Sequence, residues 1–215
     1  MTSVRPPTDL GAMLPSPRGA VGRQPVARQP IWTCGRELAG HEYLYRSRSG
    51  LPAGVDGWRS EWQDLASAFV LHSVAVAGRT AGPSLTFVNI TRAFVVDARP
   101  LPAPTDALVL EIVESVPADE QVLAGLARLR ALGYRLALDD YVASSDQLAM
   151  LPTVEFVKID IRALPTLPRD VLASARRFGA KLVAEWLETA VLVDHAIRLE
   201  FDLLQGDALG PAATC

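Results

Sequence analysis

Two aspartates, Asp139 and Asp140, stand side by side where the alternating apolar run "RLALDD" gives out. One of them reads as a cap for the helix that "SSDQLAML" predicts downstream, because Asp accepts well from free helix amides. A pair asks for more. Six further apolar runs carry a polar group toward their ends: Glu42 in "GHEYLYR", Asn89 in "LTFVNI", Glu111 in "ALVLEIV", Lys158 in "VEFVKID", Glu185 in "KLVAE" and Gln205 in "FDLLQ". Taken singly, each has an ordinary reading: an exposed strand residue for Glu42, a helix cap for Asn89, a snorkelling edge residue for Lys158. Gathered in one place they make an oxygen-rich acidic site, and crowded carboxylates raise one another's pKa unless a cation neutralises them. Oxygen ligands without cysteine or clustered histidine favour hard divalent ions, Mg²⁺ or Mn²⁺, over zinc. The histidines, His41, His72 and His195, are isolated in the sequence, and no Ser-His-Asp arrangement, "GxxxxGK" loop or "GxGxxG" loop is found. The leading chemical class is a metal-dependent hydrolase.

The elements that must bring these groups together are eight predicted strands, at 29–33, 40–46, 85–90, 107–113, 135–140, 154–160, 181–185 and 201–205. Between the later strands lie helical patterns. In "ADEQVLAGLARLRALG", Val122, Leu123, Leu126, Leu129 and Leu132 share a face and Gly133 ends the helix. The segment "PRDVLASARRFG" repeats the design, with Pro168 near its start and Gly179 at its end. Only "CGRELA" joins the first two strands, too short a link for a parallel crossover, so that pair is expected to be antiparallel. The fold class is α/β: a small (β/α)8 TIM-like barrel with its first strand antiparallel to its neighbour. In such a barrel the strand-to-helix loops meet at one rim, where the polar strand ends would converge.

Composition sets bounds on partners and location. The chain has 215 residues, 49% of them hydrophobic and 21% charged, enough for one domain with a substantial core. A net charge of −3 offers no basic surface for duplex nucleic acid. The longest apolar run, "LASAFVLHSVAVA" at 65–77, is interrupted by Ser67, His72 and Ser73 and is shorter than the ~20 residues a membrane span needs. It reads as a buried helix. Cys34 and Cys215 form no CxxC pair, which suits a reducing compartment, and a cytoplasmic protein is expected. Residues 1–28 hold five prolines and four arginines without a signal-peptide core, and read as a flexible tail ahead of an ordered domain at 29–215. Trp58 and Trp62 lie four apart on what reads as one helix, packing its core face.

The motifs "HEYLYR", "VNIT", "LEIVES", "LALDDY", "VKIDI", "VAEWLET" and "LLQG" follow one another between "RQPIW" at 28 and "LLQGDALGP" at 203. In that order the chain resembles the EAL domain, the cyclic di-GMP phosphodiesterase module of bacteria. "YLYRSR", "VLEIVES" and "RALGYRLALDDY" are most similar to EAL domains fused to a C-terminal HDOD domain, here without the HDOD part. The resemblance implies hydrolysis of cyclic di-GMP to the linear guanine dinucleotide, with two Mg²⁺ or Mn²⁺ ions and a possible homodimer or regulatory protein partner. It matches Glu42, Asn89, Glu111 and Asp139 to the ligands of one ion, and Asp139 with Asp140 to those of a second. Lys158 matches a lysine that steadies the nucleophilic water, Glu185 the general base, Gln205 a supporting polar contact and Arg46 an arginine near a ligand phosphate. Glu114 matches the glutamate that anchors the loop after the Asp pair. That loop departs from the family: "YVASS" replaces Phe-Gly-Thr-Gly, so Val142 and Ser144 stand for two glycines and a different loop path is expected. Tyr43 replaces the central alanine of the signature, and Asp207 a tyrosine. A second reading therefore stands beside the enzyme: a catalytically weak or inactive EAL module that senses cyclic di-GMP or binds a protein.

Overall fold

The computed structural model describes residues 26–46 and 54–215. Most of the expected 1–28 tail thus lies outside the described residues, and the first strand starts at Val26.

The run "VARQPIWT" forms β1 (Val26–Thr33), and after a tight turn the chain returns as β2 (Leu38–Tyr45). The turn closes with Arg36 N donating to Thr33 O and Thr33 N donating to Glu37 O, both at 2.9 Å. The two strands pair antiparallel from Val26 opposite Tyr45 to Trp32 opposite Leu38, with a register shift between Ile31 and Trp32. Six strands follow: β3 (Leu85–Ile90), β4 (Leu108–Ile112), β5 (Arg135–Leu138), β6 (Phe156–Asp160), β7 (Lys181–Glu185) and β8 (Leu203–Gln205). From β2 to β8 each strand is parallel to the next. β1 then sits between β8 and β2, antiparallel to both, and closes the barrel. A short β9 (Ala213–Thr214), absent from the sequence expectation, pairs with the first half of β1.

Among the described residues six α-helices wrap the outside: α1 (Ser60–Val76), α2 (Arg92–Val95), α3 (Glu120–Ala131), α4 (Ser145–Met150), α5 (Val171–Arg176) and α6 (Ala190–Arg198). None of the described helices is long and apolar enough to cross a membrane. Asp119 caps α3 by accepting from Val122 N at 2.9 Å, which satisfies one of the helix's free amides. Gly133 (φ 94) and Gly179 (φ 83) take left-handed turns after α3 and α5, as their sequence positions suggest. Two expectations need correction. Neither Asp139 nor Asp140 caps the helix after β5; Ser144 does, in a capping box with Gln147. Trp58 is not on α1 but two residues before it, in extended backbone, with its ring edge-on to Tyr45 at 5.8 Å. Trp62 is on the helix, so the two indoles do not share a helical face.

The strands' period of two sorts their side chains into layers. Alternate residues such as Val88, Ile90, Leu110, Leu136, Val157 and Leu182 face outward into the main core under the helices. Seven strands each send one apolar residue into the barrel: Ile31, Phe87, Val109, Ala137, Phe156, Val183 and Leu203 form a separate cluster. Phe87 and Phe156 meet edge to face there, with ring centroids 5.2 Å apart. One further step of two along β3, β4, β5, β6, β7 and β8 leads to Asn89, Glu111, Asp139, Lys158, Glu185 and Gln205. The apolar layer is therefore the floor beneath a polar one.

Candidate metal centre

Lys158 stands at the middle of the polar layer, with 1% of its surface exposed. Its Nζ lies 2.8 Å from Glu111 Oε1, 2.8 Å from Glu185 Oε1, 3.1 Å from Glu42 Oε2 and 3.3 Å from Asp139 Oδ1. One cation thus serves carboxylates from four places around the barrel. Burial works against the lysine's charge, yet Asp139, Glu111, Glu185 and Glu42 outweigh it and hold the ammonium protonated well above the ordinary lysine range. Burial pushes the Glu111 carboxyl well up, and Glu42 and Asp139 add to the rise while Lys158 opposes it. Glu185 is raised by the same causes: burial first, then Asp139 and Glu42, again against Lys158.

Around this core the amides steady the acids. Gln205 Nε2 donates to Glu42 Oε2 at 2.6 Å and to Gln29 Oε1 at 3.1 Å, and Asn89 Nδ2 donates to Glu42 Oε1 at 3.2 Å. Gln29 in turn donates to Asp207 at 3.2 Å. Several buried oxygens have no hydrogen-bond partner among the described residues: Asn89 Oδ1, Gln205 Oε1 and Glu111 Oε2. Leaving such atoms unpaired costs about 1–3 kcal/mol each, which marks the layer as built to be completed by something else. Among the described residues, one acidic trio can bring its oxygens within 4.8 Å of one another: Asp139, Asp140 and Glu185. Carboxylate and carboxamide oxygens with no sulfur or imidazole among them suit a hard divalent ion.

The expected site residues are thus drawn together from seven strands, though not around a single point. Glu42, Glu111, Asp139 and Glu185 gather about the lysine, and two of them, Asp139 and Glu185, also form the close trio with Asp140. Arg46, Glu114 and Asp140 line the same cleft of about 620 Å³. Burial lowers the Arg46 pKa, partly offset by Glu42. Partial burial, Asp139 and Glu114 lift the Asp140 carboxyl to about 6, against the pull of Lys158.

The loop after the Asp pair takes its own path. Left-handed backbone falls at Asp140 (φ 43) and Ala143 (φ 59), not at the two positions where the family carries glycine. Gln147, which the sequence reading did not single out, ties this loop from the inside. Its Oε1 accepts from Val142 N at 2.9 Å and Ser144 N at 3.4 Å, while its Nε2 donates to Asp140 O at 3.1 Å and Asp139 O at 3.4 Å. The S-x-x-Q spacing of a capping box was the signal for it. Tyr141 is buried beneath, its hydroxyl 2.9 Å from Ser174 Oγ on α5. Gln29 was missed because it lies on the antiparallel strand, where strand ends and rim do not coincide.

The EAL domain family model matches residues 62–212. Glu42 precedes that span but shares the site with residues inside it. Among curated proteins, the chain is similar to the cyclic di-GMP phosphodiesterase CdgJ of Vibrio cholerae, with 31% identity over 188 residues, 84% of this chain and 42% of that protein. It is also similar to the uncharacterized protein YuxH of Bacillus subtilis, with 28% identity covering 84% of this chain and 45% of that one. The chain therefore spans less than half the length of the curated relatives it matches. Among solved structures, Bacillus subtilis YkuI, an EAL-domain protein in complex with c-di-GMP and calcium, superposes with a TM-score of 0.68 at 23% identity. That match covers 89% of this chain and 55% of the other, and it shows a shared fold.

Proposed function

The chain belongs to the EAL domain family, and on that footing we propose that it is a metal-dependent phosphodiesterase hydrolysing cyclic di-GMP to the linear guanine dinucleotide in bacterial signalling. The observation that carries this reading is the ring of carboxylates around buried Lys158, with unpartnered oxygens beside it, opening on a cleft of small-molecule size. Glu42, Asn89, Glu111 and Asp139 would hold one Mg²⁺ or Mn²⁺, and Asp139 with Asp140 a second. Such ions, when bound, supply Lewis-acid activation of water and neutralise charge on the phosphate.

The chain's own groups divide the remaining work. Glu185 takes the proton of the attacking water; a P–O bond forms to that oxygen, one ester P–O bond breaks, and the released oxygen is protonated. Lys158 neutralises the acids so that four of them can share the polar layer. Gln205 fixes Glu42, Arg46 meets a phosphate oxygen, and Gln147 keeps the Asp139–Asp140 backbone in place despite the missing glycines. The same reading places the protein in the cytoplasm, as a homodimer or with a regulatory partner.

A second reading has one observation in its favour. Asp140 and Ala143 hold left-handed backbone without glycine, and a loop so altered suits a module that binds cyclic di-GMP without turning it over. The test is to incubate the protein with cyclic di-GMP in Mg²⁺, in Mn²⁺ and in chelator, and to assay for the linear dinucleotide. Turnover in either ion and none in chelator is expected, and Glu185→Gln should abolish turnover while keeping nucleotide affinity. Binding without turnover in any metal would replace the enzyme with the sensor; neither binding nor turnover would remove both.

A further inference from the structure

The residue after Glu185 plays no part in the chemistry just described. Trp186 adopts φ 57, a left-handed backbone in which a bulky L side chain is strained. It also leaves 50% of its surface exposed and joins neither core cluster. The ring is nevertheless held in place. The Arg162 guanidinium lies over it, 4.0 Å from the ring centroid. Arg162 is itself fixed, because Nε and Nη2 donate to the Asp160 carboxylate at 3.0 and 2.8 Å and Nη1 lies 3.7 Å from Glu188. Trp186 lines the same cleft as Asp139, Asp140 and Glu185.

Strain that persists at a cleft is maintained by its surroundings and points to a role there. An indole kept rigid and half open beside a phosphodiester site has the shape and polarisability of a base-stacking surface, at little entropic cost on binding. Arg162 covers one face of the ring. We propose that Trp186, braced by Arg162, is the platform on which one purine base of the nucleotide stacks while its phosphate lies over Asp139, Asp140 and Glu185. This rests on the phosphodiesterase reading and adds to it the residue that holds a base.

The test uses the intact chain with Trp186→Gly and Trp186→Phe. Glycine accepts the left-handed backbone, so its variant loses the ring without acquiring strain. Affinity for cyclic di-GMP, measured by calorimetry in Ca²⁺, should fall by about tenfold or more in Trp186→Gly, and Trp186→Phe should recover most of it. In Mn²⁺ the loss should appear in KM rather than kcat, and Mn²⁺ affinity without nucleotide should not change. If the parent binds cyclic di-GMP and Trp186→Gly binds it equally well, the stacking role is overturned and the phosphodiesterase reading stands. A loss of Mn²⁺ affinity matching the nucleotide loss would also overturn it, since the ring would then be shaping the metal centre. If the parent binds Mn²⁺ but not cyclic di-GMP, both fall together.

Discussion

Replacing Lys158 with methionine removes one charge from the centre of the polar layer while keeping a long unbranched side chain there. The ammonium lies 2.8–3.3 Å from four carboxylates and is buried. Removing one partner of a buried pair costs about 3–5 kcal/mol, and a cation serving four acids belongs at the upper end of that range. About 5 kcal/mol is a large share of a domain's typical stability of about 5–15 kcal/mol. In a chain of this size it lowers the melting temperature by roughly 10–20 °C. The pH dependence follows from Glu111 and Glu185, whose folded pKa values lie above the ordinary carboxylate range and are pulled down by Lys158. A carboxyl with a raised folded pKa destabilises the fold as pH rises from its unfolded value through its folded value. Lysine removal raises both further, so the variant's deficit should be greatest near pH 8 and shrink toward pH 5. Mn²⁺ should shrink it too, because the variant's uncompensated carboxylates bind the cation more tightly than the parent's do, and at saturating ion each tenfold gain in affinity returns about 1.4 kcal/mol of the difference. Thermal and urea denaturation at both pH values, in chelator and in Mn²⁺, measures all of this. A variant within about 1 kcal/mol of the parent at pH 8 in chelator, or a deficit that grows on acidification, would refute the account of the lysine as a shared counter-ion.

Gly125 on α3 faces α2, where an added Cβ would come within 2.3 Å of Val95 O. Helix propensity favours alanine there by about 1 kcal/mol, but the contact is with backbone that cannot swing aside, so Gly125→Ala should lose about 1–3 kcal/mol in urea titration; a more stable variant would show that α2 gives way. Glu155 accepts from Arg135 at 2.8 and 2.5 Å, and that hydrogen bonding holds its carboxyl below the ordinary range. A depressed folded pKa gives stability that is present above the unfolded value of about 4.3 and lost as pH falls through the folded one. The gap between the parent and Glu155→Gln should therefore be constant from pH 7 to about 5 and close in stronger acid; a gap indifferent to acid would mean that the pair contributes nothing.

Period-two alternation was written plainly in the chain. Phe87 before Asn89, Val109 before Glu111, Phe156 before Lys158 and Val183 before Glu185 each place an apolar floor residue two steps below a polar one, and this is a local property of a strand. Helix stops at Gly133 and Gly179 and the antiparallel start were legible for the same reason: each depends on residues a few positions apart. How β1 divides its outer edge was not, with Ile31 to Thr33 paired to β8 and Ala27 and Arg28 to β9, because a strand's second neighbour is chosen by barrel closure and not by its own sequence. Nor was the true length of β8, which begins at Leu203; just before it, Asp202 meets Leu182 by both a side-chain and a backbone bond, its carboxylate accepting from Leu182 N at 2.8 Å and its N donating to Leu182 O at 2.9 Å. Tertiary structure alone decided how the acids divide. The parallel registers set the height of each side chain against its neighbours, and at those heights Glu42, Glu111, Asp139 and Glu185 share one ammonium while Asp139, Asp140 and Glu185 come close enough to share an ion. Lys158 and Glu42 are 116 residues apart. Residue type fixes what such groups can do, but Coulomb energy between them depends on distance, and distance across a barrel is set only when it closes.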